Sequence, residues 1–223
     1  MNVLAVDTSL AACSVAIRVG GNLVARRYAV PGTGHAELLM TLVEQARSEC
    51  SLAYGDFDLL AVTVGPGTFT GVRAGIAAVR GLALVSGVPA LGIGTLHALA
   101  AGALEAGAAG PGEPVFVALD ARHDEVYFQA FAPGAIPLGE PAIGALTEVA
   151  ARVLAGSLVI GSGAPLLASI ERGTHKVWAS HGTELPDAAI VAALAEHAAS
   201  QPGFHPHPPP VPQYVRPPHV RLP

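Results

Sequence analysis

The chain has 223 residues, a formal net charge of −5, 51% hydrophobic residues and only 13% charged ones. That balance suits one domain of two lobes or two small domains with ample core, and it excludes a general electrostatic attraction for nucleic acid. The two cysteines, Cys13 and Cys50, make neither a metal-ligand spacing nor a disulfide framework, as in a reducing cytosol.

The first strand reads Val3 to Asp7, and because its apolar run stops at Asp7 no leader peptide is expected. A small-polar turn, Thr8-Ser9-Leu10-Ala11, leads to a second strand, Cys13 to Val19. Gly20-Gly21-Asn22 then turns a hairpin into a third strand, Leu23 to Val30. After Pro31-Gly32-Thr33-Gly34 a helix is predicted from His35 to Glu49, with Leu38, Leu39, Leu42, Val43 and Ala46 on one broad stripe.

The run from Leu59 to Val64 predicts a buried strand, and Val72 to Val85 a helix rich in small residues. Between them lies Gly65-Pro66-Gly67-Thr68-Phe69-Thr70-Gly71. Pro66 fixes one φ, Gly67 and Gly71 permit conformations or close approaches denied to other residues, and Phe69 offers a large apolar anchor. Gly65, Pro66, Gly67, Phe69 and Gly71 are therefore predicted to form a structural loop that sets the start of the helix. A competing reading has the loop's free N–H groups holding a phosphate. The stretch lacks lysine and the Gly-Lys-Ser/Thr ending, which excludes a P-loop.

A strand at Ala90 to Ile93 and a helix from Thr95 to Leu104 follow. The uncharged run from Gly81 to Leu104 raises the question of a membrane span, but Gly87, Pro89, Gly92, Gly94 and His97 break it, and a soluble chain is expected. Gly107 to Pro114 reads as a linker. Beyond it Val117-Ala118-Leu119-Asp120-Ala121 echoes Leu4-Ala5-Val6-Asp7-Thr8, and Val126 to Phe131 forms a second strand as before. Helix Ala145 to Leu154, strand Leu158 to Gly161, helix Ala164 to Ile170, strand Val177 to Ala179 and helix Asp187 to Ala199 complete a more degraded copy. The repeat implies an α/β fold of two duplicated βββαβα-type lobes, the second degenerate. The predicted division is 1–106, 107–201 and a tail, 202–223, in which nine of 22 residues are proline.

Five blocks in this order resemble the bacterial TsaB (YeaZ) family. They are Leu4 to Ser9 with Ala12 to Ala16, His35 heading its helix, and Gly65 to Gly75. Further on come Ala118 to Arg122 with Glu125-Val126-Tyr127, and Pro212-Gln213-Tyr214-Val215-Arg216 with Leu222-Pro223. The resemblance implies the fold shared by actin, sugar kinases and heat-shock chaperone ATPases. It also implies a cytoplasmic, non-catalytic scaffold that pairs with the catalytic subunit TsaD and works with the ATPase TsaE. That assembly transfers a threonylcarbamoyl group to the adenosine beside the anticodon of tRNAs reading codons that begin with A. By the same resemblance the chain forms a homodimer when alone, meets tRNA only through the complex and needs no membrane. It requires no cofactor of its own, with ATP or ADP and magnesium at the complex junction.

Mapped onto this chain, the resemblance puts a degenerate nucleotide site at Asp7, Thr8 and Ser9 with the glycine turn Gly161 and Gly163. An ordinary strand-end turn is the other reading at both places. The catalytic relatives hold a metal with two histidines four apart on one helix face; here His35 is followed by Leu39 at the second position, so no metal site and no catalytic residue is expected. A partner interface is predicted on the two helices at His35, Leu38, Leu39, Leu42, Val72, Arg73, Ile76 and Arg80. An autonomous actin-fold ATPase or kinase and a glycoprotease-like hydrolase are the competing functions. The first needs a working catalytic carboxylate, the second a nucleophile-base pair or a metal.

Overall fold

A computed structural model describes residues 1–31, 34–170, 176–177, 184–205 and 208–216. The chain divides into two compact units, Met1–Gly102 with Leu185–Pro212, and Ala103–Glu184 with the chain from Gln213 on.

In the first unit β1 (Asn2–Asp7), β2 (Cys13–Val19) and β3 (Asn22–Ala29) form an antiparallel meander. Gly20 and Gly21, at φ 56° and 86°, make the hairpin turn. α1 (His35–Cys50) leads to a 3-10 turn at Tyr54–Asp56 and then to β4 (Leu59–Thr63), which runs parallel to β1. α2 (Phe69–Ser86) crosses to β5 (Ala90–Ile93), and α3 (Thr95–Glu105) follows. The sheet order is β3-β2-β1-β4-β5. α2 begins three residues before the predicted Val72, because the Thr68 side chain accepts a hydrogen bond from Gly71 N (3.2 Å) and caps the helix there. Its length and apolarity would suit a membrane span, yet it is the crossover between two parallel strands and sends Val72, Ile76 and Val79 into the core.

The second unit repeats this plan. β6 (Val115–Arg122) and β7 (Glu125–Ala132) form the central hairpin, and β8 (Ile136–Pro137) and β9 (Ala142–Ala145) both pair with β7. α4 (Leu146–Ala150), β10 (Leu158–Ile160), α5 (Ala164–Ile170) and β11 (Lys176–Val177) complete it, with β10 parallel to β6 and β11 parallel to β10. The echoed sequences thus occupy equivalent positions, since β1 and β6 each pair antiparallel with the next strand on one side and parallel with a later strand on the other. α4 stops short of the predicted Leu154, as Arg152 and Val153 donate in tight turns to Val149 and Ala150. The predicted strand end at 178–179 lies outside the described residues.

The predicted division at residues 107 and 201 is corrected by the last helix, α6 (Ala188–Ala199), which belongs to the first unit. Along β1, Leu4 and Val6 face α1 and α2, while Val3 and Ala5 face the opposite side. That second face is covered by Ala188, Val191, Ala192 and Ala195 of α6. Ser14 Oγ accepts from Ala188 N (2.9 Å), Asp187 caps the helix through Ala189 N (2.8 Å), and Asp187 and Glu196 pair with Arg26 and Arg18. Ion pairs at such exposed positions contribute at most about 1 kcal/mol each, whereas burying one valine contributes about 2 kcal/mol. Apolar burial therefore holds α6 in place, and the ion pairs set its register. The tail is also split: residues up to 212 lie with the first unit, with Phe204 against the α6 cluster, and 213–216 lie with the second.

Candidate functional site

Parallel pairing brings the C-terminal ends of β1 and β4 together, and with them Asp7 and Thr63. Asp7 Oδ1 accepts from Ser9 N (3.1 Å), Ser9 Oγ (2.6 Å) and Thr63 Oγ1 (2.6 Å), while its buried Oδ2 has no partner among the described residues. Complete burial raises the carboxyl from 3.8 to about 6, against the opposing pull of those hydrogen bonds. The adjacent turn is locked to the 65–71 loop. Thr8 Oγ1 donates to Gly71 O (2.7 Å), and Thr68 N donates to Ser9 O (2.7 Å).

The glycines of this loop are explained by close approach. A Cβ on Gly67 would lie 2.3 Å from Ser9 O, one on Gly71 2.0 Å from Thr8 O, and one on Gly75 2.6 Å from Thr8 Oγ1. Gly65 alone among the loop's glycines has a positive φ, 111°. Phe69 is not the buried anchor predicted; it is 64% exposed, with the Arg73 guanidinium 3.5 Å over its ring.

Asp7, Thr8 and Ser9 are at most 1% exposed, and the 65–71 loop packs over their turn. Gly161 and Gly163 lie in the second unit and do the equivalent job there. Gly163 N donates to Ala118 O (2.9 Å), and a Cβ on Gly161 would lie 2.3 Å from that same oxygen. The glycine turn is thus a strand-to-helix packing element.

Because burial favours protonated Asp7, its stabilising contribution is fully present below about pH 4 and is lost as pH rises through about 6. Ionising it costs about 3 kcal/mol. Asp7→Asn keeps an Oδ1 acceptor for all three donors and removes the ionisation. Relative to the parent, the variant is expected to gain about 3 kcal/mol of stability between pH 4 and pH 7.5, measured by urea unfolding. An unchanged difference across that range would refute the assignment.

The α1–α2 face departs from the prediction in a definite way. Leu39, Leu42, Val72 and Ile76, predicted at a partner interface, are 1%, 7%, 6% and 4% exposed and belong to the unit's own core. Leu38 and His35 are half-buried, while Arg73 and Arg80 are exposed. His35 Nε2 donates to Ala11 O (3.0 Å), so this ring ties the helix start to the β1–β2 turn. Sequence could not separate the two sides because α2 is apolar over most of its circumference and the apolar stripe of α1 is broad. The exposed apolar set is Met40 on α1 with Leu84 and Val85 on α2, the last two 86% and 88% exposed. A groove of about 380 Å³ opens beside them, lined by Met40, Tyr54, Ala77, Gly81, Leu82 and Val85. Gly81 deepens it, since a Cβ there would meet nothing within 4 Å. Leu84 and Val85 lie one to two turns beyond Val79 on the far side of the helix, a phase that would have identified them once the inward residues were known.

Comparison with known proteins agrees with this architecture. The family model for TsaD, tRNA N6-adenosine threonylcarbamoyltransferase, matches residues 30–159. The tRNA threonylcarbamoyladenosine biosynthesis protein TsaB of Escherichia coli is 37% identical over 131 residues, covering 59% of this chain and 55% of that protein. The Haemophilus influenzae TsaB is 37% identical over 128 residues, covering 57% and 52%. The matched region thus spans about half the length of these curated relatives. YeaZ from Pseudomonas aeruginosa superposes with a TM-score of 0.82 at 32% identity, covering 96% of this chain and 99% of that structure.

Proposed function

This chain belongs to the TsaB/YeaZ family, and from that premise we propose that it is a non-catalytic partner subunit in the threonylcarbamoyladenosine modification of tRNA. Its α1–α2 face docks a TsaD-type catalytic subunit, TsaE joins that pair, and tRNA is met only through the assembly in the cytoplasm. The observation that carries this reading is the apolar groove lined by Met40, Gly81 and Val85 with the exposed Leu84 beside it, which favours coverage by another helical surface. When no catalytic partner is present, a second copy of the chain covers the same face.

The non-catalytic role is supported by Leu39. It stands where the catalytic relatives carry their second metal histidine and is packed in the core, while His35 is spent on Ala11 O. Any ATP and magnesium that the assembly needs then belongs at the junction with the partner, because the Asp7 turn is covered by its own loop.

Reconstitution tests the reading. The purified chain, with TsaD verified absent, is expected to form no threonylcarbamoyladenosine in tRNA when nucleosides are analysed by mass spectrometry. Adding TsaD and TsaE is expected to restore the modification, and omitting this chain to abolish it. Modification by the chain alone, or by TsaD and TsaE equally well without it, would overturn the proposal.

A further inference from the structure

Two blocks of the sequence have no part in the docking face: Ala118 to Arg122 with Glu125 to Tyr127, and Pro212 to Arg216. The fold brings them together. The Arg216 guanidinium pairs with the Glu125 carboxylate, 91 residues away in sequence, and also donates to Ala121 O (3.3 Å). It therefore grips both sides of the β6–β7 turn.

That turn is unusual. Arg122, His123 and Asp124 are three consecutive non-glycine residues in the left-handed region, at φ 63°, 57° and 57°. Each is disfavoured there, so a run of three persists only where surrounding contacts over-determine it. Arg122 N donates to Asp120 Oδ1 (2.7 Å), Asp120 N donates to Ser162 Oγ (3.0 Å), and Leu146 N donates to Asp124 O (2.9 Å). The ladder closes the turn through the Arg122–Glu125 pair, and Arg216 adds a side-chain clamp across it, from Ala121 O to the Glu125 carboxylate.

We propose that residues 213–216 form a strap whose Arg216 latches the β6–β7 turn in its left-handed conformation. The position in the chain suits this role. Residues 185–212 belong to the first unit and the chain re-enters the second at Gln213, so the latch closes three residues after that last crossing. Arginine suits it as well, because one planar head with several donors can serve a carboxylate and a carbonyl at once. Releasing the strap would loosen the turn and its closing Arg122–Glu125 pair, while the rest of the β6–β7 ladder keeps its register from Val115 to Asp120. The second unit thereby acquires a local two-state element governed by the C-terminal segment.

Amide hydrogen exchange on the full chain tests this. In Arg216→Ala the amides of residues 122–125 and of Leu146 are expected to exchange at least about tenfold faster, while those of Val115 to Leu119 and of the first unit keep their protection. Glu125→Gln, which preserves shape and removes the ion pair, is expected to shift the same amides in the same direction, and serves if Arg216→Ala does not fold. Arg216→Lys is expected to fall between the parent and the alanine variant. Unchanged exchange at 122–125 in Arg216→Ala or in Glu125→Gln would overturn the latch. So would a uniform loss of protection across the whole second unit, since that would make Arg216 a general stabiliser.

Discussion

Replacing Gly71 with valine is expected to unfold the first unit or displace α2, with a loss of about 4 kcal/mol or more. The added Cβ would sit 2.0 Å from Thr8 O and 2.5 Å from Thr68 Oγ1, so one obstacle is backbone and the other is the helix cap. Neither can yield cheaply. Moving Thr8 breaks the Thr8 Oγ1 to Gly71 O bond and disturbs the end of β1 beside the buried Asp7. Moving α2 withdraws Val72, Ile76 and Val79 from the core. A fall in Tm of about 10 °C or more is the corresponding readout. Gly71→Ala should show most of that loss, since the first added carbon makes the clash. A Gly71→Val protein that melted within about 2 °C of the parent would refute the close approach, and with it the structural role of the loop.

The second large effect separates folding from pairing. Leu84→Glu is expected to leave Tm within about 1 °C of the parent, because the side chain is 86% exposed and sits in a helix that tolerates glutamate. Its association with the catalytic partner should weaken by about 30-fold or more, the cost of about 2 kcal/mol for a charge placed in an apolar contact. Leu42→Glu should do the reverse. That residue is 7% exposed among Val43, Val72 and Ile76, so an unpaired charge there would cost several kcal/mol of stability, on the order of 3. Thermal melts combined with a binding titration of each variant decide the matter. Normal pairing by a folded Leu84→Glu protein would place the docking surface elsewhere, and a stable Leu42→Glu protein that failed to pair would return Leu42 to the interface.

Much of the molecule was legible in one dimension. The apolar run from Val3 to Val6, the double-glycine hairpin at Gly20-Gly21 and the echo at Val117 to Ala121 are local signals, and they fix strand order within each lobe because a tight turn can only join neighbours. The missing second histidine at Leu39 is likewise a property of residue type and spacing. It required no knowledge of what lies across the fold.

Three matters were settled only by tertiary packing. α6 follows the second lobe in sequence yet closes the first, since the need to cover Val3 and Ala5 acts through space and leaves no mark on sequence order. The inward and outward sides could not be told apart while α2 was apolar over most of its surface and the α1 stripe was broad; contact with the sheet assigned Leu39, Leu42, Val72 and Ile76 to the core and left Leu84 and Val85 to solvent. The reason for the glycines at 67 and 71 was also hidden in sequence. The carbonyls of Thr8 and Ser9 stand where their Cβ atoms would be, and their arrival there depends on two strands more than 50 residues apart in sequence lying side by side.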